Sequence, residues 1–190
     1  MNHPECGVLG CRMTYPDGSI QYTARRFRTF QWELLDLFRI FLLLLPYKKR
    51  AQLMLGKYFN GDFNTSCDWI NGAFFMFRKD ILNQLPDGKL DNRFFMYGED
   101  HLWCWQIQNL GYNNIFFFET TIVHINSAST SLDKRLALRK TMMKHELEII
   151  RLRLGNGINY YATALTYAAK EYFRNAVKGI VYKISGRLIR

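Results

Sequence analysis

Two hydrophobic periods alternate along this chain. Residues 7–13 form a short apolar run that reads as a strand. Tyr15-Pro16-Asp17-Gly18-Ser19 is a turn, because proline fixes one dihedral and glycine accepts a positive φ. Residues 20–24 fit a second short strand. Between 31 and 45, Leu34, Leu35, Phe38, Leu42 and Leu45 recur at helical spacing, with Glu33, Asp36 and Arg39 between them, and Pro46 ends the helix. Residues 61–66 are a loop, 69–78 a buried strand and 79–85 a short helix stopped by Pro86-Asp87-Gly88. Residues 99–110 read as a helix with Gly111 just past its end. Residues 115–118 and 121–125 form one strand region kinked at Glu119-Thr120. A long helix spans 131–154 and stops at Gly155-Asn156-Gly157; a last one covers 160–177.

Strands interleaved with helices give an α/β class. At 190 residues, 48% of them hydrophobic, the chain can build one good core. Its longest apolar run in the first helix, 40–45, is far short of the roughly 20 residues that span a bilayer. The net charge of +10 is uneven: residues 1–133 hold 13 basic and 13 acidic residues, residues 134–190 hold 13 and 3. The whole surplus therefore lies in the tail, and a basic segment seeks phosphates of lipid or nucleic acid. No RNA-binding signature or zinc-finger spacing accompanies it, so nucleic acid is not an expected partner. The four cysteines form no C-x-x-C pair and read as reduced, buried thiols. Residues 1–5 lack the features of a secretory leader, which makes a cytoplasmic location the expectation.

The candidate chemistry lies between Cys67 and Ser129. Glu99 and Asp100 open a helix, where acids are stabilised by free N–H groups; one of them can equally be a general base. His124 ends an apolar strand and is either a hydrogen-bonded surface group or a ligand for phosphate or metal. Adjacent helical residues point about 100° apart, so His101 turns away from Asp100 and reads as incidental. Trp69 suits either the core or stacking on a sugar or a base. Gly72 and Ala73 let something approach the backbone closely. Arg25-Arg26-Phe27-Arg28 is either a solvated basic face or a contact to a phosphate-bearing substrate.

In order and spacing these segments resemble the family 2 glycosyltransferases of the GT-A fold, especially bacterial rhamnosyltransferase-like members. Four motifs carry the resemblance, over residues 7–130. They are Val8-Leu9-Gly10 with 16–21 and Arg25-Arg26-Phe27; Asp68-Trp69-Ile70-Asn71-Gly72-Ala73-Phe74 with Arg78; Leu90 to Asp100; and Val123-His124 with Ser129. The resemblance implies a partial GT-A domain with a mixed sheet over 1–133, followed by a helical basic tail over 134–190. It further implies an inverting transfer of a sugar from a nucleotide-sugar donor to a glycan or lipid-linked acceptor, in cell-surface polysaccharide synthesis. Asp100 is then the base, supported by Glu99. Trp69, Asn71, Gly72 and Arg26 contact substrate. A divalent cation, Mg²⁺ or Mn²⁺, accompanies the donor diphosphate with His124 as a ligand.

Leu102, Gln106 and Arg28 stand where the family usually has an acid, an arginine and a proline. No D-x-D occurs, so the chain is expected to be the C-terminal half of such an enzyme, with the cation site completed by the other half. In the tail, Leu165, Ala169, Tyr172, Ala176 and Ile180 share one helical face, with Lys170, Arg174 and Lys178 as a basic stripe opposite; Lys183 and Arg187 fall out of register. This suits an anchor on an anionic membrane surface, peripheral on the inner face of the cell membrane, as well as a helix docked on the body or a solvated cap. The 31–45 helix with Lys48-Lys49-Arg50 fits a membrane interface or the core. The rival reading is a truncated, non-catalytic remnant that binds a membrane or partner.

Overall fold

The computed structural model describes the backbone of residues 4–125 and 132–185, and the side chains of 4–125 and 138–177. Strand β1 (Cys6–Thr14) lies at the centre of a mixed sheet. One of its edges pairs in parallel with β7 (Asn113–Val123). Its other edge is shared by β6 (Met76–Phe77) at Val8 and Leu9 and by β2 (Ile20–Gln21) at Met13 and Thr14, both antiparallel. A strand flanked on both edges and covered on both faces must be apolar almost throughout, as Cys6, Val8, Cys11 and Met13 are. Strand β4 (Thr65–Cys67) closes the far edge of β7. Strands β3 (Ala24–Arg25) and β5 (Trp69–Ile70) form a separate two-stranded sheet. Helix α3 (Glu99–Asn109) packs on β1, β5 and β7. The main core joins Val8, Ile70, Ile81, Cys104, Ile107 and Phe116.

Several expectations need correction. The 69–78 strand is two short strands separated by a turn. Asn71 Oδ1 accepts from Ala73 N at 2.9 Å, a side-chain turn that takes the backbone out of the ladder. The 20–24 strand is also split, its halves belonging to different sheets. The kink at Glu119-Thr120 is a bulge: Cys11 pairs with Phe117 and Arg12 with Thr121, leaving 118–120 out of register. The 31–45 helix is α1 (Phe30–Leu37), capped by Thr29 Oγ1 at 3.1 Å from Trp32 N, and then a 3₁₀ segment (Arg39–Leu44). Pro46, lacking an N–H, ends that segment and begins another helix, α2 (Tyr47–Met54), which the pattern did not suggest.

Helix α1 is also inside out. Its buried residues are Glu33 and Asp36, while Leu37 and Phe38 are exposed and, in the 3₁₀ segment, Leu42 alone is buried. The reason lies in the tail, where α4 (Leu132–Leu154) and α5 (Ile158–Ser185) fold back onto the body. Lys170 of α5, expected on an outward basic stripe, points inward. It pairs with Glu33 and, at 2.6 Å, with Asp36. Asp36 also takes Lys57 at 2.7 Å and the Tyr58 hydroxyl at 2.6 Å. Glu33 takes Arg28 at 2.6 Å. Arg174 pairs with Glu171. The expected apolar face, Leu165, Ala169, Tyr172 and Ala176, is turned outward. The side chains of Lys178, Ile180, Lys183 and Arg187, and all of Ser129, lie outside the described residues.

All four cysteines are free and buried. Burial raises the thiols of Cys6, Cys11, Cys67 and Cys104, which keeps them protonated and inert. Among the described residues no helix is long and apolar enough to cross a membrane.

Candidate active site

The start of α3 is built by two left-handed residues in succession, Tyr97 at φ 67° and Gly98 at φ 117°. The first is an unusual conformation for a side-chain-bearing residue. It is held from α4, where His145 Nδ1 lies 2.6 Å from the Tyr97 carbonyl. The backbone angle of Gly98 favours glycine, and a Cβ there would also crowd His145 and Ile149 of α4 at 3.3 Å.

This corner aims Asp100 across to the turn after β5. Asp100 Oδ2 accepts from Gly72 N at 2.9 Å, and Oδ1 accepts from His101 N at 2.8 Å. The close approach foreseen at Gly72 is therefore made by Asp100 itself: a Cβ at Gly72 would lie 3.3 Å from Asp100 Cβ. Burial raises the Asp100 carboxyl above its ordinary range, although the two N–H groups pull the other way. Burial likewise raises Glu99, whose Oε2 is buried without a hydrogen-bond partner among the described residues.

His101 is not incidental. It is buried and stacks on Phe27 and on Trp69, each centroid 4.9 Å away at nearly parallel planes. Arg153 caps Phe27 at 3.9 Å and Arg25 lies over Trp69 at 5.3 Å. Two cations thus contact the aromatic series. His101 Nδ1 lies 3.2 Å from Glu146 Oε2 of α4. Burial alone would raise the Glu146 carboxyl, but His101, Arg28 and Arg153 outweigh it and bring it down to about 2. Glu146 was invisible to the motif reading, being 45 residues downstream in the basic tail. Its only sequence signal is that it is one of three acids in a cationic stretch.

His124 continues the β1–β7 ladder through its N–H to the Thr14 carbonyl at 2.9 Å. Gln21 fixes its ring: Gln21 Oε1 is 2.9 Å from Nδ1, and Gln21 Nε2 donates to the His124 carbonyl at 2.6 Å. With Nδ1 as the donor, Nε2 is the nitrogen left for a ligand.

Asp100, Glu99, Trp69, Asn71, Gly72 and His124 all line one pocket of about 440 Å³, together with Gln21, Arg25 and Glu146. Arg26 does not. It donates to Asp68 Oδ1 at 3.0 Å and to the Gln52 carbonyl at 2.6 Å, and lines a neighbouring basic pocket instead. Asp68 also accepts from Phe27 N at 2.7 Å, so the aspartate before Trp69 clamps the arginine segment in place. Arg25 borders both pockets and has no ion pair among the described residues. The described residues do not by themselves cage a divalent cation. No group of three His, Cys, Asp or Glu converges among them. Compared with models of known protein families, with curated proteins and with solved structures, the chain matches none.

Proposed function

We propose that this pocket belongs to an inverting GT-A glycosyltransferase of family 2, passing a sugar from a nucleotide-sugar donor to a hydroxyl of a glycan or lipid-linked acceptor. The observation that carries the reading is the Asp100 carboxylate. It is fixed by two backbone N–H groups at 2.9 and 2.8 Å and raised by burial, on the wall of a pocket large enough for a sugar. A carboxylate whose pKa is raised is, once ionised, a stronger proton acceptor than an ordinary one. Each Asp100 oxygen keeps a lone pair beyond the N–H bond it accepts. One of them takes the acceptor's hydroxyl proton as the hydroxyl oxygen attacks the anomeric carbon; the bond to the diphosphate breaks and the diphosphate departs with its electron pair.

Glu99 supports the acid pair, and the exposed edges of Trp69 and Asn71 face the sugar. Arg25, which lines this pocket and forms no salt bridge among the described residues, meets the charge that develops on the leaving diphosphate. Mg²⁺ or Mn²⁺ belongs to the proposal as a companion of that diphosphate, to which this chain offers the His124 imidazole.

The test is to incubate the chain with nucleotide sugars and extracted membrane glycans and glycolipids, and to look by mass spectrometry for acceptors heavier by one glycosyl residue. Their appearance supports the reading; their absence across donors leaves a binding module without turnover.

A further inference from the structure

The surface of α1, the 3₁₀ segment and α5 inverts the usual order of a water-facing pair of helices. Between α1 and α5 lie charges: Glu33 is wholly buried, Asp36 nearly so, and both are satisfied by Lys170, Arg28 and Lys57. Outside lie hydrocarbons. Leu37, Phe38, Ile40, Phe41, Leu43 and Leu44 are between 54% and 83% exposed. On α5, Ile158, Tyr161, Leu165 and Tyr172 follow one helical face at 62% to 83% exposed. Single exposed apolar residues are ordinary, but six within the eight residues 37–44 mark a surface meant to be covered.

The charge around it indicates what covers it. From Leu37 to Gly61 the sequence contains Arg39, Lys48, Lys49, Arg50 and Lys57 and no acidic residue. Arg39, Lys48 and Lys49 are exposed. Beside the apolar segment, Arg39 and Arg50 share a groove with Ile40 and Leu43. Hydrocarbon flanked by cations complements an anionic lipid surface, with apolar side chains among the acyl chains and the cations among the headgroups.

We propose that Leu37–Leu45 seats this chain in the interface of an anionic membrane. This contact does not depend on the sugar-transfer reading, and vesicle binding tests it without turnover. The inward Lys170 fastens α5 to α1 and so shapes the surface rather than touching lipid.

The experiment is co-sedimentation of the full chain with phosphatidylcholine vesicles and with vesicles also containing phosphatidylglycerol. It compares the wild type with Phe41→Ser/Leu44→Ser and with Lys48→Glu/Lys49→Glu. All four positions are exposed, and circular dichroism verifies the fold. The wild type should pellet with the anionic vesicles and release as salt is raised. Each double variant should partition about tenfold or more weakly. A wild type that stays in solution with anionic vesicles overturns the proposal, as does a serine variant that pellets like the wild type. A lipid-free dimer that the serine substitutions dissolve, seen by sedimentation velocity, assigns the surface to a second copy and also overturns it.

Discussion

At the scale of single residues, Asp100 is defined by two opposed influences. Burial disfavours its charge, and the N–H groups of Gly72 and His101 favour it; burial prevails, and the carboxyl is raised. A base must be ionised to accept a proton. Activity should therefore fall as pH falls through this raised value, and the acid limb of kcat/KM should lie above the ordinary aspartate range of about 3.9. An acid midpoint at or below that range removes Asp100 from the role. Gly72 is coupled to the same atom. Adding a methyl group in Gly72→Ala places a carbon 3.3 Å from Asp100 Cβ, closer than the side chain tolerates unmoved. The shift should lower turnover about tenfold to a hundredfold, while the thermal midpoint changes little. Unaltered turnover would mean that the position of Asp100 is not critical.

At the scale of elements, the ion network between α1 and α5 governs how the tail attaches. Burial pushes the Asp36 carboxyl up, but Lys170, Lys57 and Tyr58 together hold it well below the usual carboxylate range. Glu146, depressed to about 2, behaves alike. A depressed acid contributes stability that is complete above its unfolded value and is lost as pH falls through its folded value. Acid unfolding followed by circular dichroism should accordingly set in below about pH 4, the ordinary carboxylate range. Lys170→Met leaves Glu33 and Asp36 with fewer counter-charges in a buried site, a loss expected at roughly 3–5 kcal/mol in urea unfolding. A loss below about 1 kcal/mol, the level of a surface pair, would mean that the network does not hold α5.

These same elements show where sequence was readable and where it was not. Strand β1 was legible as a short apolar run, and helix α3 by its limits, with Gly111 at φ 91° just past its end. Helix α1 was misread because its apolar positions are not its buried ones. Periodicity identifies an apolar face without saying whether it meets protein or something else, and Lys170, which draws Glu33 inward, lies 137 residues away from it in sequence. The 69–78 segment misled for a local reason: an Asn71 side-chain turn defeats an apolar run that otherwise suits a strand.

For the whole molecule, the site is assembled from distant parts. Gln21 comes from the first hairpin, Trp69 and Gly72 from β5 and its turn, Asp100 from α3, His124 from the end of β7 and Glu146 from α4. The ordered motifs located six of the seven expected site residues in one pocket, because they lie at strand ends and a helix start around a shared sheet. They missed His101 and Glu146, whose pairing depends on how α4 returns to the body, and Arg26, bonded to Asp68 and Gln52, lines the neighbouring pocket instead. The central claim is that Asp100 is the proton acceptor of a sugar transfer. The measurement that tests it most directly is nucleoside diphosphate release from nucleotide sugars, in the presence of acceptor, by the wild type and by Asp100→Asn side by side, with donor binding followed by calorimetry. The account predicts that the wild type releases the diphosphate and that the asparagine variant binds donor normally but releases it at least about a hundredfold more slowly. Equal release by the two proteins would contradict it.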